Sequence, residues 1–435
     1  MDPVVITIFM FVVFFALLLS GMPVFAALGS ASVVGIMFLQ GPRGLGAIPG
    51  VMFDRLNSFT LVAVPLFILM GEIIFISGLG TDIFNAASSW MSKVRGGLAM
   101  ASVVSSAVFG ALCGVSVAGA ATIGSFAIPE MLKHRYHKSL ATGPVAAAGA
   151  LALLIPPSLA FVLYGEVADE SVGKLFIGGI LPGVVLTIMM MLYIGIVCLV
   201  KPEMAPKLED KVTWKMRFLS LKRVWAAMLL IFIVLGSIYA GIATPTESAA
   251  IGCIGGALMA LYRRQLSIKS FLDVLSKTML TTGMILLIFS SALVFGYVLT
   301  LLQAPQMLIG LLESTQLPVW ATLTLIMLIL ILMGMFMDVV SVIMIATPLL
   351  LPIVTSMGYN VLWFGIIVGI TCEMAVITPP IGLNLYVVKG VAPEHISLGD
   401  IIRSSFPFVF VEAACLILFI VYPELCLWLP DKMVG

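Results

Sequence analysis

Charge is scarce in this chain. Asp, Glu, Lys and Arg make up 10% of its 435 residues, and histidine occurs only 3 times. With 61% hydrophobic residues and a mean hydropathy of +1.21, it lacks the polar surface a soluble globule needs, and it reads as an integral membrane protein. A net charge of +1 provides no basic face to neutralise phosphates, which excludes nucleic acid as a partner. His134, His137 and His395 all fall in polar loops, and there is no HExxH, Ser-His pair, paired-aspartate motif, P-loop or GxGxxG. No enzyme machinery is present, and without Walker sequences any pumping has to draw on an ion gradient. The six cysteines, Cys113, Cys198, Cys253, Cys372, Cys415 and Cys426, show no CxxC spacing. They read as small apolar core residues rather than metal ligands or disulfide partners. No Lys or Arg precedes Arg43, so the first apolar run lacks the basic start of a cleavable signal and reads as a retained helix.

What the chain does contain is helix-breaking sequence inside apolar stretches. Between Gly334 and Asn384, Gly, Asp338, Pro379-Pro380 and Asn384 interrupt sequence apolar enough to lie in hydrocarbon. Lipid offers the backbone no hydrogen bonds, so a helix is interrupted at that depth only where it is buried in protein or lines a cavity. The same construction occurs earlier, in GALCGVSVAGAATIGSFAIPEM followed by ALALLIPPSLAFVLYG. Pro129 precedes Pro156 by 27 residues and Pro352 precedes Pro379 by 27, with the two copies 223 apart. Pro23 with Pro245, Ser58 with Thr281, Gly165 with Gly390 and Pro182 with Pro407 keep nearly the same offset. One half of the chain repeats the other.

The basic stretch 201–223, with Lys201, Lys207, Lys211, Lys215, Arg217, Lys222 and Arg223, is a cytoplasmic linker by the positive-inside rule. Repeat 1 is then 1–200 and repeat 2 is 224–435. If the repeats are inverted, each has an odd number of crossings and both termini lie on the far side, which fits ends almost free of Lys and Arg. The fold class expected is an all-α polytopic membrane protein of two inverted-topology repeats. Re-entrant hairpins are expected near 53–78 and 270–300, with tips at Asn57–Thr60 and Leu280–Gly283. Broken helices are expected at 113–122 and 334–338 and at the two Pro-Pro pairs. In an elevator arrangement, 44–165 and 268–390 move as the transport part against scaffold helices 1–40, 170–200, 224–265 and 400–430.

A carboxylate at mid-bilayer costs about 2.5–3.5 kcal/mol, so Glu72, Glu247, Asp338, Glu373 and Glu412 are candidates for function, with Asp338 first. Na⁺ wants oxygen, and interrupted helices supply it through free carbonyls, hydroxyls and a carboxylate. One cation site is expected at Ser58, Thr60, Gly114 and Ser116, and a second at Thr281, Thr282, Gly334 and Asp338. Between them the N-termini of half-helices at Pro156, Pro157, Ser158, Pro379, Pro380 and Asn384 would attract an anionic substrate. Ser158 and Asn384 are suited to bond that substrate or to fix the loops, and each taken alone could equally cap the following half-helix. Glu247, three residues after Thr244, suits a capping box. Glu373 and Glu412 suit positions near the membrane interfaces.

The runs GVSVAGAATIGSFAIPEM, IPPSLAFVLYG, GIATPTESAAIG, MFMDVVSVIMIATPLLLPI and ITPPIGLNLYVVKGVA resemble the large membrane subunit of tripartite ATP-independent periplasmic (TRAP) transporters. The likeness covers essentially the whole chain. It implies Na⁺-coupled import of an organic acid, of sialic acid or C4-dicarboxylate type, across the bacterial inner membrane. It further implies delivery by a periplasmic binding protein, a small four-helix membrane subunit as partner, and elevator motion as in fold-related divalent anion/sodium symporters. Gly119 and Ala120 stand where relatives often carry a more polar residue, so the first cation site would depend on hydroxyls and carbonyls. The alternative is a binding-protein-independent symporter for a dicarboxylate, citrate or an oxyanion.

Overall fold

A computed structural model describes residues 2–206 and 212–433, so Lys207, Glu209, Asp210 and Lys211 of the linker lie outside the described residues. Among the described residues there is helix and no strand. Repeat 1 runs α1 (Pro3–Leu19), α2 (Val24–Gln40), α3 (Ile48–Leu56), α4 (Ala63–Ile76), α5 (Leu79–Met91), α6 (Gly97–Cys113), α7 (Ser116–Lys133), α8 (Lys138–Gly149), α9 (Leu159–Ala168) and α10 (Val172–Val200). Repeat 2 runs α11 (Trp214–Tyr239), α12 (Pro245–Tyr262), α13 (Ile268–Leu301), α14 (Ala304–Thr315), α15 (Val319–Phe336), α16 (Val339–Ser356), α17 (Val361–Val376), α18 (Leu383–Val391) and α19 (Leu398–Val421). With α3 and α4 taken together as the counterpart of α13, the repeats match element for element. The stretch 201–223 is linker only in its first part, because Thr213 caps α11 through the Met216 amide and helix begins at Trp214.

The local signals act as expected at several helix starts. Thr244 and Glu247 close a capping box on α12, the Thr244 amide donating to Glu247 Oε2 at 2.8 Å, so Glu247 is a cap. Six helices are long and apolar enough to cross a membrane, and the pair spanning Pro42–Leu56 and Thr60–Ile76 adds a seventh, bent by 70°. The bend falls at Asn57–Phe59. In repeat 2 the expected hairpin at 270–300 does not form: α13 is one unbroken helix of 34 residues. The lone Gly283 costs a helix about 1 kcal/mol, whereas opening the backbone in hydrocarbon strands several peptide groups, so the helix continues.

The break expected in 53–78 is present at Asn57–Phe59, and two further helical hairpins form from α6–α7 and α15–α16. The 17-residue α6 and 18-residue α7 turn back at Gly114, and their outer ends meet where the Leu98 amide reaches the Tyr136 hydroxyl at 3.4 Å. That end faces the linker, since the His137 amide donates to Met204 O at 2.9 Å. Arg263 joins the same face, bonding Asp82 at 2.6 Å and Arg223 O at 3.0 Å. The second hairpin opens on the opposite face. There Tyr164 donates to Val361 O at 2.7 Å and Ser58 to Glu166 at 2.8 Å.

The repeats interlock by exchanged pairings. Hairpin arm α7 packs on α18 as α16 packs on α9, α8 packs on α19 as α17 on α10, and α2 packs on α13 as α12 on α4. Small residues allow the closest of these approaches. A Cβ on Gly143 of α8 would overlap the carbonyl oxygen of Ser404 on α19, whereas one on Gly236 of α11 would meet nothing within 4 Å. Gly143→Ala is therefore expected to destabilise the protein by about 1–3 kcal/mol through overpacking. In a thermal-unfolding assay it should melt below the wild type while Gly236→Ala does not.

Candidate functional site

Four helix interruptions converge at the centre. The tip of the first hairpin is Gly114, whose backbone sits at φ +64°, in the left-handed region that glycine adopts without strain. Its carbonyl accepts from the Leu159 amide at 3.4 Å, and a Cβ on it would lie 2.5 Å from Pro157 O. The first tip thus touches the first proline break. The second hairpin repeats the arrangement: the Ile381 amide donates to Met335 O at 3.3 Å, and a Cβ on Gly334 would lie 2.5 Å from the Ala375 methyl. Each hairpin tip satisfies backbone groups that the neighbouring broken helix leaves free.

One polar link crosses between the repeats here. Ser116, at the start of α7, donates to Asn384 Oδ1 at 2.9 Å, and Asn384 Nδ2 donates to Ala146 O at 3.2 Å. Both side chains are buried. Asn384 does not cap α18; its side chain clamps α7, α8 and α18 together. Ser158 is also engaged: its hydroxyl donates to Leu153 O at 2.6 Å, closing the turn that ends the first half of that span.

The electrostatics follow from the helix ends. The half-helices α7, α9 and α18 begin here with no side-chain cap on their first amides. Apart from Leu159 N, which bonds Gly114 O, their first amides form the positive ends of helix dipoles, a setting that favours an anion. Asp338 caps the fourth, α16, accepting from the Ser341 amide at 3.2 Å and from the Ser341 hydroxyl. The C-terminal ends of α6 and α15 bring carbonyl oxygens to the two tips. Among the described residues no group of three or more His, Cys, Asp or Glu gathers anywhere, so the acidic cage of a divalent-metal site is not built.

Gly114, Ser116, Asn384 and the first proline pair come together, as do Gly334, Asp338 and the second. The hydroxyls assigned from the hairpin reading do not join them. Ser58 binds Glu166, seven residues or about 10 Å along α9 from Leu159. With Thr60, Asp169, Thr244 and Thr246 it lines a cleft of about 380 Å³ on the face away from the linker. Thr281 and Thr282 sit inside α13, where Thr282 Oγ1 is buried without a partner. Glu373 and Glu412 are both 0% exposed, enclosed by protein on every side. The α6–α7 hairpin left a readable signal. The segment between Lys93–Arg95 and Lys133–Arg135 is basic at both ends and holds two helices, an even number, which places both ends on one side.

A family model described as "Tripartite ATP-independent periplasmic transporter, DctM component" matches residues 11–425. The chain belongs to the DctM family of TRAP transporter large permeases. It is 33% identical to a C4-dicarboxylate TRAP transporter large permease of Vibrio cholerae, over 98% of this chain and 98% of that protein. It is 30% identical to a sialic acid TRAP transporter large permease of the same organism, over 96% of this chain and 97% of that one. The crystal structure of the Alcanivorax borkumensis YdaH transporter shares its fold, with a TM-score of 0.65 and 16% identity over 89% of this chain and 90% of that one. This large permease is thus an inner-membrane transport protein, as its apolar spans require.

In it, removing Asn384 leaves the Ser116 hydroxyl and the Ala146 carbonyl buried and unpaired. Each such loss costs about 1–3 kcal/mol. Asn384→Ala is expected to lower thermal stability more than Ser116→Ala, and the double variant to fall short of their sum, measured as a double-mutant cycle.

Proposed function

We propose that this permease imports a small organic acid, of the C4-dicarboxylate or sialic acid type, coupled to Na⁺ and handed over by a periplasmic binding protein. The observation that carries this reading is the central meeting of uncapped half-helix N-termini, suited to a carboxylate, with hairpin tips rich in carbonyl oxygen, suited to Na⁺. The second cation site takes Asp338 and the carbonyls near Gly334. The first takes the carbonyls around Gly114 with the oxygen of Ser116. Ser58, Thr60, Thr281 and Thr282 are left out, because their hydroxyls are not drawn to the tips.

The names of the relatives support the substrate class and the partners, a small membrane subunit and a binding protein. The movement we propose is an elevator in which the hairpins and broken helices travel together. We place α10 and α19 with that moving body, since each packs on the broken spans, α10 on α17 and α19 on α8. The driving force suffices. One Na⁺ gains about 2.3 kcal/mol at 100 mV, and a tenfold gradient adds about 1.4, so two ions support roughly 10⁵-fold accumulation before the substrate's own charge is deducted.

The test is uptake into liposomes by this chain with its small subunit and binding protein, with and without a Na⁺ gradient. Wild type should accumulate the acid only with Na⁺, and Asp338→Asn should lose that dependence. Unchanged coupled uptake in the variant would remove Asp338 from the cation site. Uptake by this chain alone, with no binding protein, would favour the binding-protein-independent symporter.

A further inference from the structure

Away from the four interruptions, two carboxylates are buried together with no partner. Glu373 on α17 and Glu412 on α19 are both 0% exposed, and none of their four oxygens accepts or donates a hydrogen bond. The two helices lie side by side, tied where Trp363 Nε1 donates to Phe419 O at 2.9 Å. Measured from that tie, Glu373 lies ten residues on along α17 and Glu412 seven residues back along α19. Glu373 also belongs to the last turn of α17, the negative end of that helix. A second negative charge is disfavoured there by the dipole as well as by its neighbour.

The surroundings supply no compensation. Among the described residues no Lys, Arg or His forms an ion pair with either carboxylate. Lys389 of α18 instead bonds the carbonyls of Glu394 and Ile396. The titratable neighbours on the same helices are the buried thiols of Cys372, next to Glu373, and Cys415, three residues after Glu412. A buried charge without a partner is sustained only by neutralisation, through a proton or a bound cation.

We infer that Glu373 and Glu412 form a monovalent-cation site, occupied by H⁺ or Na⁺ and separate from the hairpin tips. Its Glu373 stands six residues before Pro379, on the same span as the second proline break. The inference does not depend on the proposed substrate or on Na⁺ at Asp338.

Infrared spectroscopy of the full-length protein in lipid, with equilibrium binding of radioactive Na⁺, tests it. In Na⁺-free buffer the wild type should show the carbonyl band of a protonated carboxyl, shifted in D₂O. Glu373→Gln and Glu412→Gln should each reduce that band, while Asp338→Asn leaves it unchanged. If the site takes Na⁺, added Na⁺ removes the band in the wild type, and either Gln variant binds one Na⁺ fewer per chain. If it takes only H⁺, the band persists in Na⁺ and the Na⁺ count is unchanged. Absence of the band in the Na⁺-free wild type overturns the inference even if both variants fail to fold. So does a band that survives both substitutions.

Discussion

The constraint on which the architecture depends is that hydrocarbon offers peptide groups nothing to bond. Each free amide or carbonyl there costs several kcal/mol, so an interruption must be matched by another interruption. The structure obeys this pairwise: Leu159 N meets Gly114 O, and Ile381 N meets Met335 O. The glycines at the tips follow from the same demand, because Gly114 and Gly334 let two backbones approach where a Cβ would intrude. The uncapped starts of α7, α9 and α18 lie at this same meeting point.

The inverted repeat makes such matching economical in sequence. One design, used twice head to tail, yields two hairpins entering from opposite faces and two broken spans to receive them. The copies are not identical in detail. Asp338 caps α16, whereas its counterpart α7 starts at Ser116 with no side-chain cap and a neutral link to Asn384. Any negative charge at the hairpin tips therefore comes from one repeat alone. The bend of 70° at Asn57–Phe59 against the continuous α13 is a second asymmetry.

Much of this was legible in the residues. The proline pairs, the 223-residue offset and the apolar composition point to repeats, breaks and a membrane, because each is a local, chemically explicit signal. The hairpin positions were read only in part. The polar Asn57–Thr60 does interrupt its apolar run, with a bend of 70°, whereas its counterpart Leu280–Gly283 lies inside an unbroken helix. The tip at Gly114 sits among Ala, Ser and Val that resemble ordinary close packing. The surroundings of Glu373 and Glu412 were out of reach for another reason: on single helices each looks like a residue near an interface, and only tertiary packing shows that they share an interior.

The short links that join the hairpins to the amphipathic helices before them also set a length scale. From Met91 to Gly97 the chain, drawn taut, reaches about 20 Å, and from Thr315 to Val319 about 14 Å. The second hairpin is therefore on the shorter leash. Were the second hairpin to move relative to α14, the link at Gln316–Pro318 would come taut before the longer one at Ser92–Gly96.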